Sequence, residues 1–174
     1  SIGQSTARVL AAEPERFEVV AVTAQRRARE LAALARSLNA RLAVIGDESC
    51  YADLKDALAG SGIEAACGPA AIGDAAAEEA DIVMAAIVGM AGLRPLMRAI
   101  GQGRAVAIAN KEPLVAAGPL VMAAARASGA TILPVDSEHN AIFQVFDRER
   151  PEGVERIILT ASGGPFRDWP RERM

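Results

Sequence analysis

Short apolar runs rich in β-branched residues alternate along this chain with longer stretches whose apolar positions recur at helical spacing. That alternation is the mark of parallel strands joined by crossover helices. Residues 4–12 have helical spacing and meet a stop at Pro14. FEVVAVTA (17–24) is short and β-branched and reads as a buried strand. RARELAALARSL (27–38) predicts an Ala/Leu-rich helix and RLAVIG (41–46) the next strand. Asp47 or Ser49 is placed to cap a helix running to about Leu58, with Gly60 and Gly62 as stop signals. The series continues with a strand at 63–67, a helix over 69–80, a buried strand at 81–89 and a helix over 91–101. A strand at 105–109, a helix near 112–128 and a strand at 130–135 complete it, with no repeats and no low-complexity tract.

This order predicts an α/β fold built on a doubly wound, mostly parallel sheet. Such sheets bind ligands beyond the carboxyl ends of their strands, where the strand order reverses. The chemistry is therefore expected in residues 23–27, 87–91, 110–112, 136–139 and 162–164.

Composition narrows the class. The 174 residues suffice for one domain, or for one domain and the start of another. Aromatics make up only 3%, so the core must come from Ala, Val, Leu and Ile. A net charge of −3 argues against a nucleic-acid partner. No apolar run has the length of a membrane span, and no signal-peptide pattern opens the chain. Cys50 and Cys67 have no metal-ligand spacing and read as thiols of a reducing, cytoplasmic setting. Both ends read as cut: SIGQST lacks an initiator Met and resembles the tail of a glycine-rich turn whose strand lies upstream.

Five strand ends carry candidate chemistry. Ser1, Ile2 and Gly3 feed a helix N-terminus, whose free N–H groups and dipole suit a pyrophosphate; simple helix–strand packing also explains Gly3. TAQRR (23–27) ends a strand with no acid and with two arginines, Arg26 and Arg27, which points to the 2′-phosphate of NADP. They also fit as first-turn charges on a solvated helix, although a cation at a helix start opposes the dipole. In IANKEPL (108–114), Asn110, Lys111 and Glu112 offer an amide, a cation and a carboxylate, and Lys111 suits a substrate oxygen developing negative charge. A plain strand-to-helix turn accounts for Glu112 and Pro113 but poorly for Lys111. In LPVDSEHNAIFQ (133–144), Asp136 or Ser137 suits a helix cap, while Asp136 and Glu138 supply hard oxygens suited to Mg²⁺ or Mn²⁺. His139 fits better as support for the turn than as a ligand. Ser162, before Gly163 and Gly164, offers a hydroxyl in a tight turn, suited to a substrate phosphate or oxyanion or simply to a loop.

Together, MAAIVGMAGLRP, ANKEPLV, LPVDSEHNAIFQ and LTASGGPFR, in this order and spacing, resemble the 1-deoxy-D-xylulose 5-phosphate reductoisomerase family over essentially the whole chain. The resemblance implies a homodimeric, cytoplasmic or plastid enzyme of the non-mevalonate isoprenoid pathway. Such an enzyme rearranges 1-deoxy-D-xylulose 5-phosphate and reduces the product with NADPH to 2-C-methyl-D-erythritol 4-phosphate, using Mg²⁺, Mn²⁺ or Co²⁺. It implies a Rossmann-like NADPH-binding domain over 1–135, lacking its first strand, and the start of a catalytic, metal-binding α+β domain over 136–174. Ser1, Ile2, Gly3, Gln25, Arg26, Arg27, Asn110 and Glu112 are then cofactor contacts. Lys111, Ser137, Glu138 and Ser162 are substrate contacts, Lys111 and Glu138 with catalytic roles, and Asp136 and Glu138 are two of three metal carboxylates. Around Gln25 the chain keeps the family's positive charge but not its usual glycine and asparagine. The segment alone is expected to be inactive and to bind metal weakly. A semialdehyde dehydrogenase is the rival enzyme class, but it needs a nucleophilic cysteine at a strand end, for which neither Cys50 nor Cys67 is well placed. A nucleotide-sensing regulatory domain has no use for Lys111 with the Asp136/Glu138 pair.

Overall fold

The computed structural model describes residues 1–159 and 167–173, in two compact units, Ser1–Leu133 and Pro134–Met174. The first unit opens with α1 (Ile2–Ala12), followed by β1 (Ala21–Ala24), α2 (Ala28–Ser37), β2 (Leu42–Ile45), α3 (Tyr51–Leu58) and β3 (Glu64–Cys67). These strands form a parallel sheet in the order β1-β2-β3. The register pairs Ala24 with Ile45 and Ile45 with Cys67. The carboxyl ends of the strands are therefore level, and the residues after them emerge at one edge.

The central strand is the driest, with Ala43, Val44 and Ile45 wholly buried. Helix α2 lays Leu31, Ala32 and Ala35 against that core, and α3 adds Leu54 and Leu58. The small alanines let helix and sheet approach closely, so a core with few aromatics still packs tightly. Glu30 in the first turn of α2 and Arg36 in the last both complement the helix dipole. Arg36 also donates to the carbonyls of Ala57 and Ala59, satisfying the end of α3.

The chain continues through α4 (Gly68–Ala75), β4 (Ile82–Ala85), α5 (Leu93–Ile100), β5 (Ala105–Ile108), α6 (Glu112–Ser128) and β6 (Thr131–Pro134). The second sheet has the order β4-β5-β6, and Ala85 pairs in parallel with Ile108. Val106 and Ile108 meet Leu96, Ala99 and Ile100 of α5 and Val121 and Ala125 of α6 in its core. The expected α/β architecture is present, with its strands divided between two three-stranded sheets. Among the described residues, no strand bonds both β1 and β4.

Element boundaries differ from the sequence expectation in several places, among them α4, which stops at Ala75 rather than residue 80. The paired strand β1 starts at Ala21 rather than residue 17, although the Val19 and Val20 carbonyls still accept from Arg41 and Leu42. Strand β4 ends at Ala85, and the apolar residues beyond it leave the sheet to approach Gly89, whose φ of +73° suits glycine. Helix α6 is broken at Ala117, two residues before Pro119, because proline supplies no N–H and its ring crowds the carbonyl four residues earlier.

The second unit begins at the last residue of β6 and holds α7 (Ser137–Val145) and short 3₁₀ turns. A groove of ≈ 370 Å³ runs between α7 and residues 154–159.

Candidate functional site

The turn after β1 carries Gln25, Arg26 and Arg27. Gln25 lies over Gly46, where an added Cβ would come within 2.5 Å of its Oε1. Arg26 Nε donates to Asp47 Oδ2 at 2.8 Å. Asp47 is itself fixed: its Oδ1 accepts from Ser49 N at 3.0 Å and Ser49 Oγ at 2.6 Å. The Ser49 hydrogen bonds, with the Arg26 guanidinium beside them, hold the Asp47 carboxyl below its ordinary value against the opposing effect of partial burial. The guanidinium is largely in water, with the Arg26 side chain 76% exposed and Asp47 21%. Arg27 occupies the N-cap position of α2 without a side-chain cap bond and pairs instead with Glu30 at 3.1 Å.

At the first helix, Ser1 is the N-cap of α1 and its Oγ accepts from Gln4 N at 3.4 Å. Ile2 and Gly3 form the first turn. A Cβ on Gly3 would meet nothing within 4 Å, so packing among the described residues does not explain the glycine. The free N–H groups of a helix N-terminus are what suits it to a pyrophosphate.

Beyond β5, Asn110 is 8% exposed, the buried polar residue among the described ones. Its Nδ2 donates to the carbonyls of Ile87 and, at 2.8 Å, of Gly89, while its Oδ1 accepts from Glu112 N at 3.3 Å. Asn110 therefore shapes the turn that presents its neighbours. Lys111 is the exposed N-cap of α6, Glu112 its first residue, and Pro113 is wholly buried in the first turn. Proline suits this position because the N–H it lacks has no helical partner.

In the second unit Asp136 is the N-cap of α7. Its Oδ1 accepts from His139 N at 3.1 Å and lies 2.7 Å from His139 Nδ1. Asp136 is 9% exposed while His139 is 58% exposed, so the imidazole lies against the carboxylate on its outer side. Ser137 and Glu138 follow in the first turn and line the groove, which also receives Arg156. Among the described residues no three His, Cys, Asp or Glu side chains group as a metal-ligand set. The donor set of Asp136 and Glu138 fits a hard divalent cation whose remaining positions go to water or substrate oxygens. Ser162, Gly163 and Gly164 lie outside the described residues.

Some residues that matter carry no signal of their role in the sequence. Asn140 donates to the Pro134 carbonyl at 2.8 Å and accepts from Gln144, anchoring α7 to the chain before it. Gly92 sits where a Cβ would come within 2.7 Å of both Asn110 Nδ2 and the Ile87 carbonyl. The Asp-x-Ser pattern of residues 47–49 signals a cap by itself, and its link to Arg26 has no local signal. Cys67 corrects an expectation: it is the last residue of β3, so it does close a strand. Both cysteines nevertheless pack against the core beside α2 and α3 rather than joining a nucleophile's partners.

Fold and strand-end residues together define a Rossmann-like α/β protein. One family model, 1-deoxy-D-xylulose 5-phosphate reductoisomerase, matches residues 1–118, and the model of that enzyme's C-terminal domain matches residues 132–174. The chain belongs to the 1-deoxy-D-xylulose 5-phosphate reductoisomerase family. It is 60% identical to the reductoisomerase of Rhodospirillum centenum over all of this chain and 43% of that protein. With that of Paracoccus denitrificans the identity is 55%, over all of this chain and 45% of the relative. The reductoisomerase of Zymomonas mobilis, solved in complex with NADPH, superposes with a TM-score of 0.92 at 52% identity, over all of this chain and 46% of that one. A second reductoisomerase structure, in complex with NADPH, fosmidomycin and magnesium, gives a TM-score of 0.81 at 38% identity, over 87% of this chain and 38% of that one. The chain thus spans less than half the length of the relatives it matches.

Proposed function

We propose that the protein containing this chain converts 1-deoxy-D-xylulose 5-phosphate to 2-C-methyl-D-erythritol 4-phosphate, with NADPH and a divalent cation. The observation that carries the reading is the start of α7: two carboxylates and a hydroxyl in consecutive positions, with Asp136 braced by His139. Family membership and the NADPH- and magnesium-bound relatives support it.

The chain's residues divide the work. The N-terminus of α1, at Ser1, Ile2 and Gly3, receives the cofactor's pyrophosphate. Arg26 and Arg27 supply positive charge for its 2′-phosphate, and Gln25 lies beside them over Gly46. Asn110 fixes the turn carrying Lys111 and Glu112: Glu112 is proposed as a cofactor contact, while the Lys111 ammonium offsets negative charge developing on a substrate oxygen. Asp136 and Glu138 hold the cation, with Ser137 between them as a hydroxyl partner for substrate. When bound, the cation supplies Lewis acidity towards the substrate oxygens, and NADPH supplies hydride. Ser162 is carried over as a substrate contact on the family resemblance. So are the homodimer and the cytoplasmic setting; light scattering of the full-length protein checks the dimer.

The test adds 1-deoxy-D-xylulose 5-phosphate to the full-length protein and follows NADPH absorbance with and without Mn²⁺. Metal-dependent oxidation of NADPH is expected, and its absence sinks the assignment.

A further inference from the structure

We propose that Asp47 is a positioning residue for the 2′-phosphate of the cofactor: it grips Arg26 through Nε and leaves the guanidinium's two terminal nitrogens to take the phosphate. The proposal rests on the NADPH reading above and deepens it.

Arginine binds phosphate best as a planar fork, and a fork helps only when its orientation is set before the ligand arrives. Arg26 has little packing to set it, since its side chain is 76% exposed. The constraint comes instead from a relay of hydrogen bonds. Ser49 fixes Asp47 through two donors on Oδ1, and Asp47 fixes Arg26 through Oδ2 at 2.8 Å. The two residues are 21 positions apart, each just beyond the carboxyl end of its strand, and the register of β1 with β2 brings them together. Among the described residues, no hydrogen bond engages the terminal nitrogens of Arg26.

A carboxylate beside a phosphate site also repels the phosphate, so two effects oppose each other. The carboxylate contacts Nε, on the flank of the guanidinium, while the site is open to water that screens the repulsion strongly. Orientation of two charge-assisted donors then outweighs a screened charge at one remove. Asp47 is also held ionised, its carboxyl kept below the ordinary range chiefly by Ser49.

Asp47→Asn tests this with little change of shape. Because Oδ1 already takes both Ser49 donors, the amide nitrogen falls in the Oδ2 position and meets the Arg26 N–H donor to donor. The experiment compares the full-length wild type, D47N, R26A and the double variant, reading KM for NADPH with KM for NADH as reference. D47N is expected to raise the NADPH-to-NADH ratio of KM roughly three- to tenfold, within the net range of one ordinary hydrogen bond, because the contact is largely in water. In the R26A background, where nothing remains to position, D47N should not raise the ratio further, and relief of the carboxylate's repulsion should lower it if it changes at all. An unchanged or lower ratio in D47N, while R26A raises it, overturns the positioning role and leaves the cofactor reading intact. If R26A itself leaves the ratio unchanged, the 2′-phosphate assignment to Arg26 falls and this inference with it.

Discussion

Asn110 donates its side-chain amide to the Gly89 carbonyl at 2.8 Å and so ties the turn after β5 to the turn after β4. The second Nδ2 hydrogen serves the Ile87 carbonyl, and Oδ1 accepts from Glu112 N. One buried amide thus sets the path of both loops. Asn110→Ala leaves those carbonyls unpaired and should cost about 1–3 kcal/mol. Asn110→Asp brings a carboxylate oxygen against two carbonyl oxygens and should cost more than alanine. Urea denaturation of the full-length protein checks the order, and an aspartate variant as stable as wild type contradicts it.

The same arrangement accounts for Gly92. Its missing Cβ is what allows Asn110 Nδ2 and the Ile87 carbonyl to meet there, each within 2.7 Å of where a methyl would stand. Gly92→Ala should therefore destabilise by about 1–3 kcal/mol through overpacking, with a raised KM for NADPH as the loop shifts. A neutral alanine here would show that the backbone yields without disturbing the turn.

At α7, capping and charge separate experimentally. Asparagine caps a helix as well as aspartate does, so Asp136→Asn should keep the bond to His139 N while removing the negative charge. The expected result is a stability change within about 0.5 kcal/mol and a large loss of metal-dependent turnover. Asp136→Ala should lose turnover and also about 1 kcal/mol of stability. If Asp136→Asn retains full activity, the residue is a cap alone.

Asp47 gives a pH prediction. Its carboxyl is held below the ordinary value in the folded chain, so the stabilisation it provides is fully present above the unfolded-state pKa. It is lost as pH falls through the lower, folded value. The Arg26–Asp47 contact should therefore persist to pH values at which an unperturbed aspartate is already protonated. Carboxyl NMR of Asp47 would read this directly, with titration at or above the usual aspartate position as the contrary result.

The core should respond where the central strands are driest. Leu54 is wholly buried against α2 and β2, and Leu54→Ala should cost about 2–5 kcal/mol. A smaller loss in thermal or urea melts would mean that the alanine-rich surroundings collapse into the space.

The alternation of short β-branched runs with helical stretches determined the α/β class and the order of elements, because burial on both faces makes a parallel strand apolar throughout. The acidic first turn of α7 was also legible, since a cap and its helix are neighbours in sequence. The sequence permits either Asp136 or Ser137 as the cap, and the structure makes it Asp136. Strand ends were legible only approximately: Val19 and Val20 look like strand interior and still accept ladder-like bonds, yet pairing proper begins at Ala21. The kink at Ala117 follows from Pro119, a local signal absorbed by the otherwise helical pattern. What only the tertiary structure decided are the contacts between strand ends: Arg26 with Asp47, and Asn110 with Ile87 and Gly89. These partners lie more than 20 residues apart, and parallel register alone brings them together. Sequence periodicity says that a strand exists, whereas the neighbour against which it ends is fixed by how the sheet is assembled.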